Sequence, residues 1–256
     1  MTSELIPIYI TIYITILLFG LVIGSFLNVC IYRIPKHETI VTEPSHCMKC
    51  GYQLHWYDLV PVVSWLALRG KCRNCKAAIS VQYPIIEAAN GIAYVIIFLV
   101  NGLNIQSGVY CLMASALLVL SVIDERTGEI PFGINVFILG LGVIQIVIDR
   151  GNWADYGIGF LAVSIFLEII LLASGGRAIG GGDVKLMAAA GLLLGWQKIV
   201  LAFFLGCMIG SVIHIARMKI AGAERTLAMG PYLSAGIVIS ALWGEQMIRA
   251  YISLLG

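Results

Sequence analysis

The sequence predicts an all-α protein that crosses a membrane about eight times, with a polar loop between the first and second helices. Of its 256 residues, 60% are hydrophobic and only 12% are charged, and the mean hydropathy is +0.95. This composition excludes a soluble globular domain and is typical of a polytopic protein in a lipid bilayer. The formal net charge of +2 is too small to favour nucleic acid as a partner.

The first apolar run covers residues 5–30, and we predict that it is a retained membrane helix. It is too long for a signal-peptide core, and Glu4 but no basic residue precedes it. A polar segment, residues 32–84, comes next, and its one apolar run, residues 59–68, is too short to cross a bilayer. We expect that run to lie on the membrane surface or under a metal site. Seven apolar runs follow, at residues 85–100, 109–123, 132–148, 156–173, 184–196 (short for a full span), 199–215 and 227–248.

The distribution of Lys and Arg predicts which side of the membrane each loop occupies. With the N-terminus outside, thirteen basic residues fall inside and three outside, a firm positive-inside signal. The chain then divides into a first transmembrane helix (1–31), a cytoplasmic loop (32–84) and a membrane region (85–256). The inside set is Arg33, Lys36, Lys49, Arg69, Lys71, Arg73, Lys76, Arg126, Arg177, Lys185, Arg217, Lys219 and Arg225; the outside set is Arg150, Lys198 and Arg249.

Four cysteines in the polar loop predict a structural zinc site. Cys47 and Cys50 form one C-x2-C pair, and Cys72 and Cys75 form another after 21 intervening residues. Four thiolates at this spacing suit tetrahedral Zn²⁺. Two disulfides or free thiols are the alternatives, and a cytoplasmic loop disfavours disulfides because its thiols stay reduced.

Two aspartates at the inner ends of apolar runs are the candidate catalytic residues. Residues 179–186 read Ile-Gly-Gly-Gly-Asp-Val-Lys-Leu, so Asp183 lies between two apolar runs. Asp124 closes the run at residues 109–123 and faces the same side. Ionisable groups beside hydrocarbon are costly and suggest a functional site. Two carboxylates that share a proton provide both a base to activate water and an acid to protonate a leaving amine.

Each aspartate also has a structural interpretation. Asp183 precedes a predicted helix, where aspartate is a favoured N-cap. Asp124 could be a solvated residue at a helix end. Glu125 and Glu129 compete with Asp124 for a catalytic role in the same turn, but their neighbourhood with Arg126 indicates a solvated environment.

The motifs together resemble those of type IV prepilin peptidases, a family of membrane aspartic proteases with a Gly-x-Gly-Asp signature. The resemblance rests on Gly-x-Gly-Asp at residues 180–183, a partner aspartate before Ile-Pro at 130–131, and Asp-Val-Lys-Leu at 183–186. It also rests on Gly-Ser-Phe-Leu-Asn-Val at residues 24–29, Pro-Ser-x-Cys at 44–47 and Tyr-Pro-x-x-Glu at 83–87. The sequence departs from the family at Phe132, where many relatives have Asp, and at Met48, where Pro is common.

The resemblance implies an endopeptidase of the bacterial inner membrane that acts at the cytoplasmic face. Its substrates would be prepilins or pseudopilins, from which it would remove a basic leader peptide with Asp124 and Asp183 as the catalytic pair. The long loop implies a second activity, methylation of the new N-terminal residue with S-adenosylmethionine as methyl donor. The residues implied for that activity are Gly24, Asn28, Arg33 and Glu87, and anchoring at the membrane interface is the alternative role for Asn28 and Arg33.

Two other functions remain open on the sequence. A proton-coupled transporter would also carry carboxylates at the inner face and broken helices, although the cysteine loop and the absence of a visible repeat count against it. A peptidase without methyltransferase activity is the other alternative. For the glycines at positions 20 and 24, close packing of a neighbouring helix is a further interpretation, because they form a small-xxx-small pair.

Overall fold

The computed structural model describes residues 5–221 and 228–255, and these residues form an all-helical protein. Arg225, expected in a loop, and Leu227, expected to begin the last apolar run, lie outside the described residues. Within the described part there is no strand, and only two isolated β-bridges occur. The helices are α1 (Leu5–Arg33), α2 (Val63–Ala67), α3 (Gln82–Asn101), α4 (Ile105–Thr127), α5 (Phe132–Ile148), α6 (Trp153–Ala162), α7 (Ser164–Ser174), α8 (Gly181–Leu194), α9 (Trp196–Ala221) and α10 (Gly230–Leu255).

Five stretches among the described residues are long and apolar enough to cross a membrane, which is the architecture of a polytopic membrane protein. They differ in how much of each stretch lies inside the protein. Buried residues make up 56% of the most apolar window of the α4 span but only 6% of that of the first span. The five stretches are Ile6–Lys36, Gln82–Asn101, Ile105–Thr127, Arg150–Ser174 and Trp196–Ile220.

The apolar run at residues 156–173 was expected to form one helix, and this expectation was wrong in detail. The structure breaks the run at Val163 into α6 and α7. The hydroxyl of Ser164 donates a hydrogen bond to the carbonyl of Phe160, four residues earlier. A side chain that binds the backbone in this way competes with the helical hydrogen bonds and bends a helix.

The chain forms two compact units, residues 1–107 and 108–256. In the first unit, α1 packs against α3 through its glycines. A Cβ atom on Gly20 would lie 2.8 Å from the Cα atom of Gly91, and one on Gly24 would lie 2.7 Å from the Cα atom of Glu87. The close-packing interpretation of this small-xxx-small pair is therefore confirmed.

In the second unit, α8 is the central helix and packs against α5, α6, α7 and α9. Its 14 residues span about 21 Å, which is short of the ~30 Å hydrocarbon core. This short helix packs very closely against α6. A Cβ atom on Gly191 would lie 2.1 Å from the carbonyl oxygen of Gly159. Buried residues run along the whole of α8 from Asp183 to Leu194.

Candidate functional site

Asp124 lies in the last turn of α4 and is 4% exposed. Its Oδ2 atom accepts a 2.8 Å hydrogen bond from the backbone N–H of Gly230, the first residue of α10. Gly230 is required there because a Cβ atom at this position would lie 2.6 Å from that same Oδ2 atom. The start of α10 is therefore fitted to the carboxyl group of Asp124.

Asp183 is the third residue of α8 and is 8% exposed. Its Oδ2 atom accepts a hydrogen bond of 3.3 Å from the backbone N–H of Gly180, the N-cap residue of the helix. The N-cap interpretation was thus wrong about the position but right about the role, because the side chain of Asp183 does satisfy an N–H group at the helix start. This carboxyl group is also within range of direct electrostatic interaction with Asp124.

The Gly-x-Gly-Asp stretch packs against the Ile-Pro segment that follows α4. A Cβ atom on Gly182 would lie 2.9 Å from the Cβ atom of Ile130. The amide of Asn135, in the first turns of α5, donates a 3.5 Å hydrogen bond to the Gly182 carbonyl. Glycine at position 182 therefore allows the backbone next to Asp183 to approach the segment that follows Asp124.

The remaining acidic residues of this turn are exposed, as the sequence predicted. The side chain of Glu125 is 43% exposed and forms a 2.9 Å ion pair with Arg217, and Glu129 is also exposed. A carboxylate in water has neither the desolvation nor the close partner that catalytic pairs use. Of the acidic residues described in the second unit, Asp124 and Asp183 are thus the buried pair.

Two residues of this site escaped the sequence analysis. Gly230 and Asn135 contact the aspartate pair or its backbone, but neither belongs to a motif that was recognised. The Gly-Pro dipeptide at residues 230–231, directly before an apolar run, was the available signal for Gly230, since it marks a turn before a helix. Asn135 had a weaker signal, a lone polar residue in an apolar helix.

The four loop cysteines lie together in the first unit. Their Sγ atoms are all within 4.8 Å of one another, and those of Cys47 and Cys75 are 3.9 Å apart. Zn²⁺ bound by thiolates at about 2.3 Å places tetrahedral sulfur atoms about 3.8 Å apart. The cluster of Cys47, Cys50, Cys72 and Cys75 is therefore compatible with one zinc ion.

Each C-x2-C pair sits on a turn of the same construction. The N–H of Gly51 donates to the Cys47 carbonyl (2.9 Å), and that of Lys76 donates to the Cys72 carbonyl (3.1 Å). These residues follow the second cysteine of each pair and have φ values of +71° and +59°. Because both C-x2-C pairs have the same turn, their four Sγ atoms are directed toward a common centre.

Backbone N–H groups near the cysteines favour thiolate ligands. The N–H groups of Lys49 and Cys50 lower the pKa of the Cys47 thiol, and that of Tyr52 lowers the pKa of Cys50. Metal binding requires the thiolate, so these hydrogen bonds support Cys47 and Cys50 as ligands, whereas desolvation and hydrogen bonds among the four thiols raise the pKa of Cys75 to about 11.

The first unit also contains a cavity of about 900 Å³, bounded by α1, the cysteine loop and the start of α3. Asn28, Arg33 and Glu87 line it, so the structure brings together three of the four residues expected for the methyl donor. Gly24 does not line the cavity, because it packs on the backbone of Glu87. The volume falls within the range of cofactor sites, about 300–1,000 Å³.

The polar side chains that line the cavity also form hydrogen bonds with backbone groups of the protein. Asn28 Nδ2 donates a 3.2 Å hydrogen bond to the Tyr83 carbonyl. Arg33 donates to the carbonyls of Thr39 and Glu43, both at 3.0 Å, and so fixes the loop that follows α1. These contacts build the wall of the cavity.

Glu87 holds a strained part of the loop. Its Oε2 atom accepts a 2.6 Å hydrogen bond from the N–H of Val62, whose φ is +61°. A β-branched residue rarely adopts this conformation, which costs of order 1–3 kcal/mol. Glu87 therefore fixes the position of the short helix α2, which begins at Val63.

Comparison with known proteins places the chain in a family. The model for the bacterial peptidase A24 N-terminal domain matches residues 18–101, and the model for the type IV leader peptidase family matches residues 111–215. No solved structure matches the chain.

Three curated relatives named prepilin leader peptidase/N-methyltransferase match over nearly their whole length. The protein from Pseudomonas aeruginosa is 31% identical, over 94% of this chain and 93% of the relative. Those from Pseudomonas putida and Bacillus subtilis are 31% and 30% identical, over 98% and 93% of this chain and 96% of each relative. With both family domains in order along an all-helical membrane protein, the chain belongs to the type IV leader peptidase family of enzymes.

Proposed function

We propose that this protein is an aspartic endopeptidase that removes the basic leader peptide from type IV prepilins or pseudopilins, with Asp124 and Asp183 as the catalytic pair. The observation that carries the proposal is the pair itself, two buried carboxyl groups at helix ends whose adjoining backbone segments pack together at Gly182 and Ile130. The names of the relatives, which include prepilin leader peptidase, support the substrate class.

In the proposed reaction the two aspartates divide acid and base catalysis between them. Like charges at close range disfavour double ionisation, so the pair shares one proton. The ionised carboxylate takes a proton from water as the water oxygen attacks the scissile carbonyl carbon. The protonated partner gives its proton to the leaving amine as the C–N bond breaks, which leaves a free carboxyl group on the leader and a free amine on the mature pilin.

We propose that the protein has eight spans, formed by α1, α3, α4, α5, α6 with α7, α8, α9 and α10, in the bacterial inner membrane. The hydrogen bond between Asp124 and Gly230 supports this topology in the second unit. It joins the end of α4 to the start of α10, which the alternation of spans assigns to the same face. The positive-inside distribution assigns that face to the cytoplasm.

The same protein is proposed to methylate the new N-terminal amine. The cavity in the first unit supports this second activity, because its volume and its polar wall suit a ligand of the size of S-adenosylmethionine. When bound there, that donor supplies an activated methyl group on a sulfonium sulfur. Asn28, Arg33 and Glu87 would shape the site, and Gly24 would act indirectly by allowing α1 to approach α3.

We propose that one zinc ion, bound by Cys47, Cys50, Cys72 and Cys75, holds the cysteine loop in its fold. The close set of four Sγ atoms supports this ligand assignment. With four protein ligands the ion has no open position for water, so the site is structural.

One experiment tests both activities of the proposal. Purified protein is incubated with a full-length prepilin, with and without S-adenosylmethionine, and the products are read by mass spectrometry. Cleavage should occur in both reactions. The mature N-terminus should gain about 14 Da, the mass added when a methyl group replaces a hydrogen, only in the reaction with the donor. An uncut prepilin in both reactions contradicts the peptidase, and a cut but unmethylated product supports a peptidase without methyltransferase activity.

A further inference from the structure

Asn135 is a buried polar residue beside the aspartate pair that the proposed chemistry does not use. It lies in the first turns of α5 and is 4% exposed. Its Nδ2 atom donates to the carbonyl of Gly182, the residue before Asp183, at 3.5 Å. Its Oδ1 atom is buried and has no hydrogen-bond partner among the described residues.

The orientation of this amide follows from the Gly182 carbonyl. The two ends of an asparagine amide are assigned by their hydrogen-bond partners, and the opposite orientation would place two acceptors against each other. Oδ1 is therefore the end left without a donor. A buried acceptor in this state costs about 1–3 kcal/mol, and such exceptions in folded proteins call for an explanation.

A substrate helix that unwinds at the cleavage site would have such a donor to offer. In hydrocarbon, a peptide keeps its backbone N–H groups bonded within its own helix. Its scissile peptide must become extended to reach the two carboxyl groups, and the local N–H groups then lose their carbonyl partners. An acceptor on the enzyme next to the catalytic pair replaces one of the lost partners.

We propose that Asn135 Oδ1 accepts a hydrogen bond from one backbone N–H of the unwound substrate, close to the scissile bond. This inference rests on the proposed peptidase function and adds to it a substrate-binding residue. Because the contact is to the backbone, it recognises an extended peptide of any sequence. Through Nδ2, the same amide holds the Gly182 peptide and couples substrate binding to the position of Asp183.

The chain contains a matched control on the same helix. Gln145 is 2% exposed and also has a buried amide oxygen, Oε1, without a partner among the described residues. Its Nε2 donates to the hydroxyl of Tyr156 at 3.1 Å. Ten residues separate Gln145 from Asn135, about 15 Å along α5, so its oxygen lies away from the aspartate pair.

The test is a double-mutant cycle in which one change is made in the enzyme and the other in the substrate backbone. A synthetic peptide that spans the leader and the first mature residues is made with amide bonds only. A second set replaces one amide N–H at a time with an ester oxygen on either side of the scissile bond, which itself stays an amide. Cleavage of each peptide by wild type, Asn135→Leu, Asn135→Ala and Gln145→Leu gives kcat and KM.

For wild type, we expect an ester at one position to lower kcat/KM by about tenfold, the effect of one hydrogen bond. Both Asn135 variants should show no further loss at that position, while they respond to the other esters as wild type does. Gln145→Leu should keep the wild-type response at every position. Asn135→Ala does not add the apolar volume of leucine, so it still tests the proposal if Asn135→Leu does not fold.

Equal ester effects at every position in wild type and in both Asn135 variants would overturn the role of Asn135 and leave the peptidase proposal intact. A wild-type protein that does not cut the all-amide peptide would instead overturn the proposed function. The two failures are therefore distinguishable within one set of reactions.

Discussion

The backbone N–H of Gly230 lies 2.8 Å from Asp124 Oδ2, with no room for a side chain between α10 and α4 at this point. More than a hundred residues of sequence separate the two, yet one carboxyl group determines how both helix ends meet. We predict that Gly230→Ala lowers kcat by about 5–100-fold, since overpacking costs about 1–3 kcal/mol and here displaces a proposed catalytic group.

Gly133→Ala is the control for this prediction, because a Cβ atom at Gly133 meets no atom within 4 Å. Its cleavage rate should stay near that of wild type when both variants are expressed and purified in the same way. Normal cleavage by Gly230→Ala would show that the close contact with Asp124 has no part in the reaction.

Asp124→Asn and Asp183→Asn should each lower kcat by about 10²–10⁴-fold, the usual contribution of a general acid or base. Both variants should still insert into the membrane, because asparagine retains the shape of aspartate. Glu125→Gln and Glu129→Gln are the controls, and they should keep most of the activity because both residues are exposed. Full cleavage of a prepilin by either aspartate variant would remove the assignment of the pair.

Metal analysis of protein purified without chelator should find one zinc ion per chain. Changing one ligand, for instance Cys50→Ser, should lower the folded yield more than it lowers kcat of the remaining folded protein, since a structural zinc ion contributes folding energy directly. Cys207→Ser is the control outside the cluster and should bind zinc as wild type does. Protein with normal yield and no zinc would contradict the assignment.

Methylation and cleavage should separate by residue. Changes at Gly24, Asn28, Arg33 or Glu87 should weaken methylation more than cleavage, because all four lie in the first unit, whereas the aspartate pair lies in the second. Glu87→Leu removes the acceptor of the Val62 N–H and should reduce the binding of S-adenosylmethionine, measured by calorimetry or equilibrium dialysis.

In Glu87→Gln an oxygen acceptor remains for Val62, so this variant should bind the donor more tightly than Glu87→Leu. A set of variants that lost cleavage and kept methylation would reverse the division between the two units.

The membrane class of the protein follows from hydropathy and the charge distribution, which depend only on amino-acid composition and order. The sequence also singled out Asp124, Asp183 and the four cysteines as candidates, since these residue types are costly or reactive at such places and stand in short motifs. The all-helical fold, the exposed state of Glu125 and Glu129 and the glycine packing of α1 on α3 followed from the same local patterns.

Tertiary structure alone decided which distant groups meet. The contacts of Gly230 with Asp124 and of Asn135 with Gly182 join residues 106 and 47 positions apart, and no local pattern records such pairings. Likewise, no local pattern marked the break at Val163, and the positive φ of Val62 is accompanied by a hydrogen bond to the distant carboxyl group of Glu87. Hydrophobic periodicity predicts where helices lie, but the positions of individual donors and acceptors depend on how those helices pack.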